Sequence, residues 1–367
     1  MRREWDVWNK ILDRENCKKA VLKESDTARC ARTGFSAELR KNVSSWTDYV
    51  VQRIGDGLKL GEFVEFDVME CGKLRHVRCY TPEDAMCVRA CVQVMEPRAY
   101  ARMSPRSYCP VVGRGGLKLA LDFRRSLKRV DNRCRIFNKY HPNATKWRPW
   151  IGQFDERHYY DSITYNLAHD AMERIFGEPE VLAIVEVFLN HRDGLPIGAG
   201  YSSMIANSIL APLDWEIIGT KGVFGYARHL DNAVYVTKSK KVATDVRLLV
   251  EDWNSMHGLT AHEWAKFPSG HHAVERGGWR IDKNRILPST NVTLHLEKLL
   301  SVDVESLSHR QMLALASLYG YVKHGESMSL KRLWASRKAN RVFKLIGISA
   351  KKAETGIIPV FTKGQKQ

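Results

Sequence analysis

The stretch YARHLDNAVYV (226–236) joins two β-prone runs through two polar residues, Asp231 and Asn232. The apolar run VFGYARHL (223–230) precedes the pair, and AVYV (233–236) follows it. Asp and Asn tolerate the positive φ angles that tight hairpin turns require. The sequence therefore predicts a β-hairpin with Asp231 and Asn232 at its tip.

A second acidic residue, Asp155, follows the predicted strand IGQF (151–154). Adjacent antiparallel strands would bring Asp155 and Asp231 to one edge of a sheet. A divalent cation relieves the repulsion between two carboxylates and organises phosphate oxygens, which is the basis of two-metal phosphoryl transfer. An Asp at a strand end is nevertheless most often a turn or cap residue, so the pair alone does not decide for chemistry.

The segment GLPIGAGYSSMIAN (194–207) is a glycine-rich loop that leads into a helix. Such a loop lets the backbone approach a ligand, and Ser202, Ser203 and the helix N-terminus would offer donors to phosphate or sugar groups. The loop lacks the GK[ST] ending of a P-loop. An ordinary helix start capped by Ser202 is the alternative.

Composition restricts the class of protein. The chain has 58 Lys and Arg against 41 Asp and Glu, a formal charge of +17, which indicates an anionic partner. A hydrophobic share of 44% predicts a globular chain. No apolar run of about 18 residues and no signal peptide stand in the sequence, so we expect no membrane partner and a cytoplasmic location. Eight cysteines without C-x-x-C spacing indicate free thiols.

Further patterns predict local structure on both sides of these motifs. Strands are expected at 63–68 and 74–80, followed by a helix from Pro82 through Met95 that ends before Pro97. The stretch 296–367 is predicted to be helical and carries 13 Lys and Arg against 5 Asp and Glu. Within it, SLKRLWASRKANRVFK (329–344) interleaves cations with Trp334 and Phe343. This pattern suits either a nucleic-acid surface or a solvated helix face with two core aromatics.

The order of the three motifs resembles the palm of reverse transcriptases. DERHYYDSI (155–163) is similar to motif A of that family, and LPIGAGYSSMIAN (195–207) is similar to motif B. YARHLDNAVYV (226–236) is similar to motif C, whose tip usually reads YxDD. Three motifs in order are far more specific than any one of them.

The resemblance extends over residues 60 to 360. GKLRHVRCYTPEDAMCVRACVQVMEP (72–97) looks like the fingers, GLTAHEWAKF (258–267) and RGGWRI (276–281) look like later palm motifs, and SLYGYVKHGESMSLKRL (317–333) looks like the thumb. It implies an α+β right-hand polymerase fold, with an antiparallel palm sheet flanked by helices. The implied domains are an N-terminal extension or start of the fingers (1–60), fingers (61–135), palm (136–295) and a short helical thumb (296–367).

Within the family, the sequence looks most like bacterial and phage reverse transcriptases of diversity-generating retroelements and of antiviral defence or abortive-infection systems. Ile197 stands where many members have Gln, a change that accompanies error-prone copying in retroelement members. The implied activity is RNA-directed DNA polymerisation by two-metal nucleotidyl transfer. The implied partners are an RNA template, a DNA primer or product, dNTPs, and an accessory protein or structured noncoding RNA.

By the same resemblance, Asp155 and Asp231 ligate two Mg²⁺ ions, or Mn²⁺, with help from the backbone carbonyl of Glu156. Tyr160 matches the bulky residue that excludes a ribose 2′-hydroxyl, and Lys266 approximates a lysine that protonates the leaving group. The other expected nucleotide-binding residues are Lys73, Arg75, Ile197 and Gly198. The residues expected to bind nucleic acid through the thumb are Lys331, Arg332, Arg337, Lys338 and Arg341.

Asn232 departs from the family, which usually has a second Asp there. An Asn keeps a carbonyl oxygen for a metal but removes one negative charge, so Mg²⁺ should bind more weakly. Asn232 therefore leaves two hypotheses: an active polymerase, or a weakened polymerase-like RNA-binding protein that acts in phage defence or as a scaffold. A metal nuclease is a third class. Four histidines and one glutamate lie between residues 257 and 272, but their spacing is not that of metal ligands: His257, His262, Glu263, His271 and His272.

Overall fold

The structure is a computed structural model that describes residues 3–70, 73–111, 113–190 and 192–354. It divides into two compact units that are both discontinuous in sequence. Unit 1 comprises Met1–Ser107, Phe154–Gly219 and Val246–Glu263, and unit 2 comprises Tyr108–Gln153, Thr220–Asp245 and Trp264–Gln367. Helices and strands are mixed throughout, which confirms the predicted α+β class.

The secondary-structure elements follow in chain order. The first part holds α1 Trp8–Leu12, α2 Arg14–Ser25, α3 Ala28–Thr33, α4 Phe35–Lys41, α5 Val43–Gly55, β1 Val64–Glu70, β2 Lys73–Cys79, α6 Pro82–Ala101 and α7 Gly116–Tyr140. The middle holds β3 Trp150–Glu156, α8 Tyr159–Ser162, α9 Tyr165–Glu173, α10 Pro179–Leu189, α11 Ser202–Gly219, β4 Val223–His229, β5 Asn232–Thr237, α12 Lys240–His257 and β6 Ala261–Pro268. The last part holds β7 Val274–Arg276, β8 Trp279–Ile281, β9 Ile286–Pro288, α13 Thr290–Leu300, a 3₁₀ turn at Val304–Ser306, α14 His309–Ser317, α15 Tyr319–His324, α16 Met328–Ser336, α17 Arg341–Leu345 and α18 Ala350–Glu354.

The predicted strands at 63–68 and 74–80 form the antiparallel hairpin β1–β2. The helix predicted over 82–95 is α6, which begins with Pro82 after the N-cap Thr81, as a proline in the first turn favours. It continues to Ala101, so the prediction that it ends before Pro97 was wrong. The helix continues because its apolar face stays buried beyond that proline, at Ala99 and Tyr100.

The four-stranded sheet has the order β4-β5-β3-β6. Close packing fixes its interior in unit 2, since a Cβ on Gly152 would lie 2.2 Å from the Tyr235 ring. Helix α7 covers it with an apolar stripe that includes Phe123, Leu127 and Val130, all buried in one cluster with Val234 and Val236 of β5. Burial of such a stripe, about 2 kcal/mol for each large side chain, holds helix and sheet together.

The C-terminal helices of unit 2 form a second core, in which Leu296, Leu315, Leu330, Trp334 and Phe343 are buried. Helices α13 to α18 confirm the prediction of helical structure from residue 296 as far as residue 354, and residues 355–367 lie outside the described part of the chain. Among the described residues, no helix is both long and apolar enough to cross a lipid bilayer. The two units are a division by packing, and each unit is discontinuous in sequence. The predicted boundaries of fingers, palm and thumb stay predictions.

Candidate active site

Asp155 is the last but one residue of β3 and is half-buried. The strand continues to Glu156, two residues further than predicted. Glu156 is only 3% exposed, and its Oε2 accepts a hydrogen bond of 2.8 Å from Nδ2 of Asn254 on α12. Asn254, which no sequence pattern distinguished, thus fixes the residue beside the predicted catalytic Asp155. The metal-binding role of the Glu156 carbonyl stays a prediction.

The segment after Asp155 is helical, not extended. His158 takes a left-handed conformation (φ 47°) and begins the single turn α8, which holds Tyr159 and Tyr160. The two tyrosines differ in burial: Tyr159 is 3% exposed and Tyr160 is half-buried. The Tyr159 hydroxyl donates to the Ala206 carbonyl on α11 at 2.6 Å. The Tyr160 hydroxyl lies 3.3 Å from the Ser203 hydroxyl.

The glycine-rich loop is held against this helical turn by backbone hydrogen bonds. The Leu195 amide donates to the Tyr160 carbonyl at 2.8 Å, and the Gly194 amide donates to the Ile163 carbonyl at 2.7 Å. The two segments that resemble motifs A and B are therefore joined within unit 1.

The same loop also contacts β2. The Arg78 amide donates to the Ile197 carbonyl at 2.8 Å. Gly198 has φ +104°, and a Cβ there would lie 2.7 Å from Cγ1 of Val77 and 2.8 Å from the Arg78 carbonyl oxygen. A glycine is required by both the left-handed backbone and the close approach of the strand. Unit 1 thus joins the segments that resemble fingers, motif A and motif B.

Ser202 does not present its hydroxyl to a ligand. The residue is 1% exposed, and its Oγ donates to the Pro196 carbonyl at 2.7 Å. The expectation that Ser202 offers a donor to phosphate was therefore wrong, because the hydroxyl stabilises the loop that precedes α11. Ser202 is itself the first residue of α11 and does not stand in the cap position before the helix. Ser203 is half-buried beside Tyr160.

Lys73 and Arg75 both lie on β2. Arg75 is exposed and pairs in register with Val68 of β1. The Lys73 side chain, like Cys71, lies outside what the structure describes. Their roles with the incoming nucleotide stay predictions.

In unit 2, the predicted hairpin is β4–β5, but its turn is shifted by one residue. His229 pairs with Asn232, so Leu230 and Asp231 form the turn and Asn232 begins β5. Leu230, not a polar residue, takes the positive φ of 57°. Its conformation is supported by Arg228, a 2% exposed side chain whose Nη1 donates to the Leu230 carbonyl at 2.7 Å.

Asp231 and Asn232 are both half-buried at this turn. Nδ2 of Asn232 donates to Oδ1 of Asp231 at 3.2 Å. Burial, followed by the charge of Asp231, raises the pKa of the neighbouring Cys109 thiol. Burial lowers the pKa of His229, although the Asp231 carboxylate opposes that shift. A cleft of about 250 Å³ in unit 2 is lined by His229, Asn232, Glu275, Arg276 and Ser289, with two glycines.

The remaining predicted cations are distributed over unit 2. Lys266 is exposed on β6 and donates to the Thr244 hydroxyl at 2.8 Å. The segment 329–344 is two helices, α16 and α17, not one. Of its five predicted cations, Lys331 is half-buried, Arg341 pairs with Glu305 at 2.6 Å, and the other three are exposed. Their contacts with nucleic acid stay predictions.

Trp334 and Phe343, in contrast, are 4% and 7% exposed in the C-terminal core. Nε1 of Trp334 donates to Oδ1 of Asn340 at 2.9 Å. The alternative of two core aromatics is therefore correct, and neither ring is available for stacking on a base. Both rings pack in the core. Composition alone could not distinguish this role from stacking on bases.

No protein-family model and no curated protein matches this sequence. Among solved structures, the chain is similar to apo telomerase from Candida tropicalis, with a TM-score of 0.48 and 9% identity over 81% of this chain and 60% of that one. It is also similar to telomerase from Candida albicans with a TWJ fragment of telomeric RNA (TM-score 0.44, 10% identity, 84% and 59%). The chain thus spans about 60% of the length of these telomerase chains. A likeness at this level assigns no activity.

Proposed function

We propose that the protein is an RNA-templated DNA polymerase of the reverse-transcriptase type, of the bacterial or phage retroelement and defence group. Its substrates would be dNTPs, an RNA template and a DNA primer. Ile197 in the glycine-rich loop is the residue that supports this subgroup and error-prone copying.

The proposal rests chiefly on one observation within unit 1. Tyr160, Gly198 and Arg78 are far apart in sequence and lie in the segments that resemble motif A, motif B and the fingers. The glycine-rich loop is joined to Tyr160 by the backbone hydrogen bond of Leu195, and to Arg78 by that of Ile197. A nucleotide-binding site needs its sugar-contacting ring and its close-approach glycine on one rigid frame, because misplacement by about 1 Å costs large factors in rate.

The side chains at the β4–β5 turn suit a hard divalent cation. Asp231 has carboxylate oxygens and Asn232 has an amide oxygen, which are ligand types that Mg²⁺ and Mn²⁺ take. By the resemblance, Asp155 of unit 1 would supply the other carboxylate. When bound, the metal would activate the primer hydroxyl and stabilise charge on the phosphates. The amide of Asn232 donates to Asp231, so its own carbonyl oxygen stays available as an acceptor.

The chain's own residues would select and orient the nucleotide. The Tyr160 ring would exclude a ribose 2′-hydroxyl, and its hydrogen bond to Ser203 limits the rotation of that ring. Ile197 would contact the templating pair, and the close packing of the adjacent Gly198 against β2 would hold it in place. Lys73 and Arg75 on β2 would contact the triphosphate, and the cations of α16 and α17 would contact the duplex backbone.

A second function, RNA binding without chemistry, is favoured by Asn232 alone. One carboxylate fewer at the hairpin turn lowers the negative charge that concentrates Mg²⁺. The basic surfaces would then hold RNA as a scaffold or in phage defence.

The two functions are separated by incorporation of labelled dNTPs on an oligo-dT primed RNA with Mg²⁺ or Mn²⁺. We expect incorporation by the wild type and none above background by Asp231→Ala. Asp245→Ala, which removes an exposed carboxylate from α12 in the same unit, is the matched control and should retain activity. Unchanged activity of Asp231→Ala would discard the catalytic role, and an inactive wild type that still binds RNA would favour the scaffold.

A further inference from the structure

A strongly basic surface lies at the C-terminal end of α7, outside all the motifs described above. Residues 116–150 carry ten Lys and Arg against two Asp and Glu, a net charge of +8 in 35 residues. The stretch 296–367 has the same net positive charge but is about twice as long. We define the α7 surface as residues 133–150 together with Lys238 of unit 2.

Three rings form a stacked column on the α7 surface. Phe137 lies between Trp147 and His141, with ring centroids 3.9 Å apart at 9° on one side and 4.4 Å apart at 15° on the other. His141 is exposed and ends the column, whereas Phe137 and Trp147 are half-buried. The Lys238 ammonium lies 5.1 Å from the centroid of the Trp147 ring, within the range of a cation–π contact.

Hydrogen bonds to two other elements hold the column in place. The Asn138 side chain donates to the Trp147 carbonyl at 2.8 Å and accepts from the Trp147 amide at 2.8 Å. The Arg148 amide donates to the Lys238 carbonyl at 2.9 Å. The connection between α7 and β3 is therefore fixed to the helix at one point and to the end of β5 at another.

A cleft of about 570 Å³ opens beside the column. Its lining includes Trp147 and the cations Arg135, Lys146 and Arg148, with Asp131 as its one acidic residue. The Asp131 carboxylate is already engaged by Lys283 at 3.2 Å. Within the part of the chain that the structure describes, Lys146 and Arg148 make no ion pair. The cleft thus keeps an excess of uncompensated positive charge.

We propose that the α7 surface binds single-stranded nucleic acid, with a base stacked on His141 and phosphates against Lys146 and Arg148. Stacked rings with cations beside them are the combination that binds single strands without sequence preference, since every base has a π face and every linkage has a charge. This binding site is additional to the proposed polymerase site and needs neither Asp231 nor a metal. It would hold a stretch of the RNA, or a displaced strand, that is not being copied.

The aromatic column favours a single strand over other anionic partners. Duplex bases are already stacked on one another and offer the ring no face, so a duplex would use the cations alone. An acidic protein or an anionic membrane would likewise use the charge and leave His141 without a role. The contribution of the His141 ring therefore distinguishes these partners.

The test is fluorescence anisotropy of the full chain with labelled, unstructured RNA and DNA oligonucleotides and with a duplex. We expect Lys146→Glu with Arg148→Glu to weaken single-strand binding at least tenfold. The slope of log affinity against log salt should become shallower by about 1.4, as expected for the loss of two phosphate contacts. The matched control, Lys18→Glu with Lys19→Glu on α2, makes the same charge change at exposed residues of unit 1.

Stacking is tested separately. His141→Ala should weaken single-strand binding about fivefold or more, in the range of one lost base stack, while duplex binding stays unchanged. His141→Trp should restore it. The proposal would be overturned by an equal loss of single-strand affinity in the Lys146/Arg148 double variant and the Lys18/Lys19 double variant. Unchanged single-strand affinity of His141→Ala would overturn it too. So would ultraviolet crosslinks to RNA that all map outside residues 133–150.

Loss of the proposed polymerase function would give a different pattern. Asp231→Ala should keep the same single-strand affinity as the wild type, because the α7 surface does not include the β4–β5 turn. Conversely, the α7 variants should still extend a short primer on a template too short to reach this surface. An α7 variant that binds normally while Asp231→Ala is inactive would reject the α7 site and leave the polymerase proposal standing.

Discussion

The side-chain amide of Asn232 donates a hydrogen bond to Oδ1 of Asp231, with 3.2 Å between the two atoms. The two residues lie at the turn of the β4–β5 hairpin, where Asp231 belongs to the turn and Asn232 begins β5. The amide thus supplies a donor where a second carboxylate would supply a charge. This contact stabilises the hairpin without a metal. An acidic residue at position 232 would remove the hydrogen bond and add a negative charge, and both effects can be measured.

Asn232→Asp should preserve or raise Mg²⁺-dependent incorporation. The added charge should reduce the Mg²⁺ concentration at half-maximal rate about tenfold, as expected for one more charge close to the ion. Without metal, two carboxylates would replace a donor and acceptor pair, so the Tm should fall, and Mg²⁺ should restore it. A Mg²⁺ titration of incorporation and of thermal unfolding measures both effects. Incorporation reduced to background would mean that this site does not use the carboxylate, and Asn232→Ala is the control that removes the oxygen ligand.

Gly198→Ala should destabilise the protein by about 1–3 kcal/mol, since the substitution meets both a left-handed φ and an overlap with β2. Gly200→Ala is the matched control: it lies in the same loop, and its Cβ would have nothing within 4 Å. Urea denaturation of both variants measures the difference in free energy of unfolding. Equal stability of the two variants would contradict the contact between the loop and Arg78.

Trp334→Ala should reduce the free energy of unfolding by about 3–5 kcal/mol, because the ring is buried in the C-terminal core. Arg332→Ala, two residues away and exposed, should change stability by less than about 0.5 kcal/mol. If Arg332 contacts nucleic acid as proposed, its variant should instead weaken RNA binding. Thermal unfolding and anisotropy, measured on both variants, separate packing from binding. A stable Trp334→Ala variant would show that the ring is not part of the core.

The β1–β2 hairpin should respond to pH through His76. Hydrogen bonds to Asp67, at 2.9 Å from Nδ1, and to Glu65, at 3.2 Å from Nε2, raise the pKa of His76. The folded state therefore favours the imidazolium, and its stabilising effect is complete below the unfolded pKa of about 6.5. It is lost as the pH rises through the raised pKa. The Tm difference between wild type and His76→Gln should thus be largest near about pH 5.5 and small near about pH 9, and a difference that grows with pH would contradict it.

Local patterns predicted the elements that carry the motifs. Alternating apolar runs predicted β4 and β5, and the proline and acidic residues of its first turn predicted α6. The exact turn was not predictable, because Asp231 and Asn232 have the right propensities while the buried Arg228 supports the left-handed conformation of Leu230. A hydrogen bond from a buried side chain only two residues away overrode the turn preference of Asp231 and Asn232.

The parts that sequence reasoning missed depend on contacts between distant residues. The Asn254 bond to Glu156, 98 positions away, has no local signal. The discontinuous units likewise follow from long-range packing, not from composition. The α7 surface did have a signal: FNKYHPNATKWRPW (137–150) mixes four aromatic residues and a histidine with cations, and the segment 329–344 likewise mixes rings with cations. In one case the rings form a surface column and in the other they are core, and only burial distinguishes them.

The two hydrogen bonds between Asn138 and the Trp147 backbone have a thermodynamic consequence. The connection that carries Trp147 is ordered when the protein folds, so the backbone of the α7 surface is preorganised and adds no ordering penalty of its own when a strand binds. Asn138→Ala would move that entropic penalty to the binding step. Calorimetry should then show a less favourable binding entropy even though every side chain that faces the ligand is retained.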